Sequence, residues 1–188
     1  MSRIPRLFVV SGPSGVGKGT LVALVRQKRP DLALTVSATT RKPRAYEHNG
    51  DEYYFLSDEE FDSLVATGEF IEWAHVHDRR YGTLRSEVQR LLAQDRSIIL
   101  EVDVQGALNL REAYPDALLI FVEPPSLKVL EQRLRDRGSD DENQIKLRLA
   151  NAASELLVAD QYDTRIVNDD LDEASDKILA FIEAHESK

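Results

Sequence analysis

The chain of 188 residues has no cysteine, one methionine and one tryptophan. The missing cysteine excludes disulfides, thiolate catalysis and cysteine-based zinc sites. Long hydrophobic runs are also absent. The run nearest the N-terminus, Leu7 to Val10, is four residues long, too short for a signal peptide, and no stretch approaches the ~20 apolar residues of a membrane span. The expectation is a soluble, cytoplasmic protein with no membrane partner. Positive charge is outnumbered. Against 33 Asp and Glu stand 24 Lys and Arg, a formal net charge of −9, which argues against a nucleic-acid polymer as the main partner. It leaves a small phosphate ligand open, because local arginine clusters decide that. The histidines His48, His75, His77 and His185 show no metal-ligand spacing. Internal repeats and low-complexity segments are absent, and the tail from His185 to Lys188 is expected to fray.

What the chain does have is an apolar, β-branched run, Arg6-Leu-Phe-Val-Val-Ser11, that stops at Gly12-Pro13-Ser14-Gly15-Val16-Gly17-Lys18-Gly19-Thr20. A helical pattern with Leu21, Leu24 and Val25 on one stripe follows. Strand, glycine-rich loop and helix form the context in which a G-x-x-x-x-G-K loop cradles nucleotide phosphates. The glycines let backbone amides converge, the helix N-terminus adds partial positive charge, and Lys18 supplies a point charge for the outer phosphates. Gly19 stands where a serine or threonine usually follows the lysine. The hydroxyl for a Mg²⁺ ion must then come from Thr20, or water must take its place.

Five apolar runs read as strands of a parallel sheet: Leu7–Val10, Leu32–Val36, Ser97–Val102, Ala117–Val122 and Arg165–Val167. Helical stripes alternate with most of them, for example Val88, Leu91 and Leu92, or Ala174, Ile178, Phe181 and Ile182. The expected class is α/β: a P-loop, doubly wound, five-stranded parallel sheet with helices on both faces. Residues 39–83 break the rhythm with turn residues, aromatics and short strands. Asn49-Gly50 marks a turn, Ser57-Asp-Glu-Glu60 a capping box, and Gly68 a helix end. The expected division is a core of 1–38 and 84–188 with a small helical lid at about 137–148, and an inserted mixed α/β lobe at 39–83.

These residues resemble the guanylate kinase family, which moves the γ-phosphate of ATP onto GMP. The matching pieces are Gly12-Pro-Ser-Gly-x-Gly-Lys18, Ser37-Ala-Thr-Thr-Arg41-x-Pro-Arg44, Asn49-Gly-x-x-Tyr53, Phe70-Ile-Glu72-Trp73-Ala74, Tyr81-Gly-Thr83, Asp103-x-Gln-Gly106 and Val167-Asn-Asp-Asp170. Two positions depart from the pattern. Gly19-Thr20 looks more like adenylate kinase, and Glu101 sits where an aspartate is common.

The resemblance implies ATP and GMP as substrates and Mg²⁺ as cofactor, and leaves oligomeric state open. It assigns Glu72 and Ser37 to guanine: a carboxylate accepts from N1–H and the N2 amino group while a hydroxyl donates to O6. Arg41 and Arg44, with the Tyr53 and Tyr81 hydroxyls, match the family's acceptor-phosphate groups. Thr83 supports the base or phosphate site, and Asp103 resembles the residue on the GMP side. Glu101 and Asp103 are i, i+2 on a strand and share a face. Glu101 either holds Mg²⁺ through water, or one of the pair caps the helix starting near Val104. Arg133 and Arg137 are i, i+4 on a helix ending at Gly138, and Arg148 lies across the polar lid; with Lys18 they surround the transferring phosphoryl. Asn168 matches a position near adenine, against the plainer reading of a loop cap. Trp73 reads as core or pocket wall, Arg135 as structural or solvated, Arg79 and Arg80 as surface. The competing readings are a nucleoside monophosphate kinase of other base preference, a non-catalytic guanylate-kinase-like interaction module and a GTP-binding switch.

Overall fold

The computed structural model describes residues 4–76, 78–138 and 141–187. His77, two residues of the expected lid (139 and 140) and Lys188 lie outside the described residues. In chain order the first elements are β1 (Leu7–Ser11), α1 (Lys18–Lys28), β2 (Ser37–Thr39), β3 (Tyr53–Phe55) and α2 (Asp58–Ala66). Then come β4 (Phe70–Val76), β5 (Arg79–Leu84), α3 (Arg85–Leu92), β6 (Ile98–Glu101), α4 (Val104–Ala113) and β7 (Leu118–Glu123). The chain continues with α5 (Leu127–Arg137), α6 (Glu142–Leu156), β8 (Thr164–Val167) and α7 (Leu171–Glu186).

β1 is buried along its whole length because both of its faces are covered. Phe8 and Val10 pack with Leu21 and Val25 of α1 and with Ala174, Ile178 and Ile182 of α7. Leu7 and Val9 face the other way, onto Val88 and Leu91 of α3 and Ala107 and Leu110 of α4. The sheet runs β6-β1-β7-β8, all parallel. It has four strands, not five. The stretch expected as a strand, Leu32–Val36, contributes one parallel bridge: Ala33 N–H donates to Ser97 O at 2.8 Å, and Ile99 N–H donates to Ala33 O at 3.0 Å. Leu34 is then 42% exposed, so the run has no second covered face to hold it in the ladder.

From Ser37 the chain enters a second sheet, ordered β3-β2-β5-β4, with β2–β3 parallel and the other pairs antiparallel. Helix α2 closes over it through Phe61, stacked on Phe70 at 4.4 Å between ring centroids. The helix starts where the sequence said: Glu60 N–H donates to Ser57 Oγ at 3.1 Å, and Ser57 N–H to Glu60 Oε2 at 2.7 Å. Arg80 is a correction to the surface assignment. It pairs with Asp58 and Asp62 and stands 4.5 Å from the Phe61 ring centre, so it pins α2 to β5. Trp73 is 41% exposed, its ring 6.0 Å from that of Phe61 and nearly perpendicular to it, and is not core.

A bulge between Phe70 and Glu72 interrupts the β4–β5 ladder. Beside it Phe70 packs into the core of the second sheet and Ile71 into the core of the first, as alternate strand residues facing opposite ways do. Helix α5 ends on Gly138 in the left-handed conformation (φ 66°). Asp141 and Gln144 form a capping box that starts α6. Arg135 bridges Glu131 and Glu142 across this junction. At the C-terminal end, α7 holds its helix through Glu186, whose buried carboxylate takes a 3.1 Å bond from Arg29, so the expected fraying does not begin at His185.

Candidate active site

The loop after β1 wraps tightly around its own end of the sheet. Gly12 has φ 141°, and a Cβ there would lie 2.1 Å from Val122 O, so only glycine fits. Gly17 (φ 95°) leaves room for the Asn168 amide; a Cβ would sit 2.7 Å from its Nδ2. Asn168, 2% exposed, donates from Nδ2 to Val16 O at 2.7 Å, and its backbone carbonyl accepts from Arg133 at 2.9 Å. The residue expected beside adenine is thus a clamp on the phosphate loop. It also lines a 530 Å³ cavity with Gly15, Val16, Gly17, Thr20 and Arg133.

Lys18 opens α1 and folds back on the loop, donating to Gly12 O at 2.7 Å and Pro13 O at 3.1 Å. Burial pulls its amine below the usual lysine range, opposed by the charges of Glu101, Glu155 and Asp103. The same cleft, about 680 Å³, is lined by Gly12, Ser14, Gly15, Gly17, Lys18, Gly19 and Thr20, with Glu101, Asp103, Arg133, Arg137 and Glu155 facing them. Arg148 reaches the loop from α6, donating to Ser14 Oγ at 2.6 Å.

Glu101 ends β6 and Asp103 follows it. Burial raises the Glu101 carboxyl above its ordinary value, and Lys18 opposes the rise. A Cβ on Gly19 would come 3.2 Å from Glu101 Oε2, so the longer glutamate occupies the space a side chain after Lys18 would need. Asp103 caps α4, accepting from Gly106 N–H at 2.6 Å. Oxygen donors from Thr20 and Glu101 on one cleft wall suit a hard cation such as Mg²⁺. Among the described residues no three His, Asp or Glu are grouped closely enough to hold a metal.

On the second sheet, Glu72 lies opposite Thr83 in the ladder and accepts from its hydroxyl at 2.7 Å. Burial pushes the Glu72 carboxyl up, and the bonds from Thr83 hold it back. A Cβ on Gly106 would stand 3.6 Å from Glu72 Cβ, so this carboxylate faces the start of α4 beside Asp103. Ser37 and Tyr53 line a 350 Å³ cavity together with Gly19 and Glu101, which joins the second sheet to the phosphate cleft. Tyr53 and Tyr81 meet edge to face at 5.9 Å. The Arg41 guanidinium lies over the Tyr53 ring, 5.4 Å from its centre. Arg44 turns to the Tyr46 hydroxyl at 3.0 Å.

Two acidic residues escaped the sequence reading. Glu155 lines the phosphate cleft, its carboxyl raised by burial and held back by Lys18; its spacing of seven from Arg148 on one helix was the available signal. Glu47 contacts both Arg41 and Arg44, and nothing in the sequence pattern marks it.

The guanylate kinase family model matches residues 4–185. The chain is 51% identical over 169 residues to a guanylate kinase from Thermosynechococcus vestitus, covering 90% of this chain and 88% of that one. It is 47% identical over 177 residues to one from a Synechocystis species, covering 94% and 93%. The crystal structure of guanylate kinase from Anaplasma phagocytophilum superimposes with a TM-score of 0.71 at 31% identity, covering all of this chain and 88% of the other.

Proposed function

Because the chain belongs to the guanylate kinase family and is a kinase carrying the γ-phosphate of ATP to GMP, we propose how its residues divide that work. Residues 1–38 and 84–188 form the donor side, with a lid at about 137–148, and residues 39–83 form the acceptor lobe. The observation that carries this division is the continuity of the cleft: Ser37 and Tyr53 share one cavity wall with Gly19 and Glu101, which in turn border Lys18.

On the acceptor side, Glu72 accepts from guanine N1–H and N2, and Ser37 donates to O6. Thr83 fixes the Glu72 carboxylate, and Asp103 stands beside it at the head of α4. Adenine would set an unprotonated N1 against Glu72, and sites built on such bonds reject mismatched bases by roughly 10⁴ or more. Arg41, Arg44, Tyr53 and Tyr81 take the GMP phosphate.

On the donor side, the amides of Gly12 to Thr20 cradle the ATP phosphates. Lys18 exchanges its carbonyl partners Gly12 and Pro13 for phosphate oxygens. Arg133, Arg137 and Arg148 bring positive charge to the equatorial oxygens of the transferring group, where positioning and charge supply most of the catalysis. Closing the cleft also keeps water from competing with GMP as acceptor. Asn168 holds the loop and borders a 530 Å³ cavity, to which we assign the adenine. Thr20 and Glu101 would hold Mg²⁺, which when bound supplies charge neutralisation at the β- and γ-phosphates. Among the described residues no helix is long and apolar enough to cross a membrane, in keeping with an enzyme that works on cytoplasmic nucleotides.

The test is ADP release from ATP and Mg²⁺ with GMP, AMP, dTMP and CMP as competing acceptors, and Lys18→Ala as control. Lys18-dependent turnover of GMP alone is expected. Turnover of another acceptor would overturn the roles of Glu72 and Ser37, and none at all would point to an interaction module.

A further inference from the structure

Glu47 sits in the turn after Arg44, where its own N–H donates to Arg44 O at 3.0 Å. Its side chain is 5% exposed. The carboxylate accepts three hydrogen bonds: from Arg41 Nη2 at 2.8 Å, from Arg41 Nη1 at 2.9 Å and from the Arg44 backbone N–H at 2.7 Å. One acidic group therefore holds both arginines proposed for the acceptor phosphate.

We infer that Glu47 is a positioning residue for the acceptor phosphate, turning the Arg41 guanidinium so that its Nε edge faces the incoming monoester. The donor count carries this. A guanidinium has five N–H groups in a fixed fork. Both hydrogens of Nη1 are engaged, one by Glu47 and one by Lys42 O at 2.9 Å. One hydrogen of Nη2 goes to Glu47. The second Nη2–H and the Nε–H then share one edge, at the spacing that two phosphate oxygens accept. The Tyr53 and Phe55 ring centres lie 5.4 and 5.6 Å from the guanidinium carbon. The Tyr81 hydroxyl is a further hydrogen-bond partner of the same guanidinium, so Arg41 and Tyr81 would meet the phosphate together.

A carboxylate this close to an anion site looks unfavourable, yet it is matched one to one by Arg41 and leaves the charge of Arg44 for the phosphate. The bonds from Arg41 and the Arg44 amide hold the Glu47 carboxyl down to about 2, so the clamp stays charged at neutral pH. Fixing the fork before the ligand arrives lowers the ordering that binding demands.

The inference rests on the reading of Arg41 as an acceptor-phosphate group, so Arg41→Ala is measured in parallel. Glu47→Gln keeps the shape but sets an amide N–H₂ against a guanidinium N–H, and Glu47→Ala removes the clamp. Each is titrated by calorimetry with GMP, with guanosine, which lacks the phosphate, and with ATP. Expected for both Glu47 variants is GMP affinity lower by about tenfold or more, with guanosine and ATP each changed by less than about twofold. Thermal melts identify which variant remains folded, and Glu47→Gln is the one expected to. Equal losses for GMP and guanosine would reduce Glu47 to a structural role and overturn the inference. Unchanged or tighter GMP binding would overturn it too, the latter marking Glu47 as a competitor for the phosphate. GMP loss in Arg41→Ala but in neither Glu47 variant would sink the clamp alone. No GMP loss in Arg41→Ala would sink the acceptor-site reading beneath it.

Discussion

The Thr83 hydroxyl donates to Glu72 Oε1 at 2.7 Å from the directly paired position on the neighbouring strand. Two opposing influences meet at that carboxyl: burial favours its protonated form, and the Thr83 bonds favour the charged one. Only the charged form accepts from both guanine donors. GMP binding should therefore weaken as pH falls through a Glu72 pKa raised above the ordinary glutamate value. Thr83→Val removes one stabilising donor and should move that loss to higher pH. A hydrogen bond to a charged group contributes about 1.5–3 kcal/mol, so losing it raises the Glu72 pKa further, and the GMP KM of Thr83→Val should rise above the wild-type value most strongly on the acid side. The check is the GMP KM as a function of pH for both proteins. Superimposable profiles would detach Thr83 from base recognition.

Lys18→Ala should lower turnover by at least ~10² while leaving GMP affinity nearly intact, as expected when a donor acting mainly in the transition state is removed. Steady-state kinetics and GMP titration separate the two quantities. Turnover at the wild-type level would take Lys18 out of the mechanism.

Gly19 and Glu101 are matched in size. A methyl at residue 19 would approach Glu101 Oε2 to 3.2 Å and displace the carboxylate by a few tenths of an ångström. In Gly19→Ala the Mg²⁺ concentration for half-maximal activity should rise about three- to tenfold, a change of ~0.7–1.4 kcal/mol in ion affinity, with the GMP KM unaffected. Chelation with EDTA should abolish turnover in both proteins. An unaltered Mg²⁺ dependence would remove Glu101 from the metal side.

Asn168→Ala would leave the Val16 carbonyl without its 2.7 Å partner. Leaving a buried polar group unpaired costs about 1–3 kcal/mol. We expect a lower unfolding midpoint in urea and a higher KM for ATP, with GMP affinity unchanged. A stable variant with normal ATP kinetics would show that the loop holds its shape without the clamp.

Legibility from sequence followed locality. The phosphate loop could be read because its glycines answer to backbone conformation: Gly12, Gly15 and Gly17 all have positive φ. The Ser57–Glu60 box and the Gly138 helix end are equally local. The Leu32–Val36 run misled, since an apolar stretch shows affinity for a core but not which sheet its backbone joins. Here the chain gives one bridge through Ala33 and then leaves for β2. Glu47 was hidden because its meaning depends on a turn that folds it back on Arg41, six residues earlier. The bond from the Asn168 side chain to Val16 O was hidden for a similar reason: the two residues are 152 apart in the chain.

The bulge at Ile71 has a mechanical consequence. Ile71 is rooted in the core of the first sheet, while its neighbour Phe70 belongs to the second, so β4 is a fulcrum and Glu72 stands one residue from it. Strand β3 lies at the opposite edge, three ladder spacings or roughly 14 Å away. Any rotation about that point sweeps Tyr53 and the arginine turn through a long arc and leaves Glu72 almost still. In such a lever Glu72 is the short arm and Tyr53 with the arginine turn the long one.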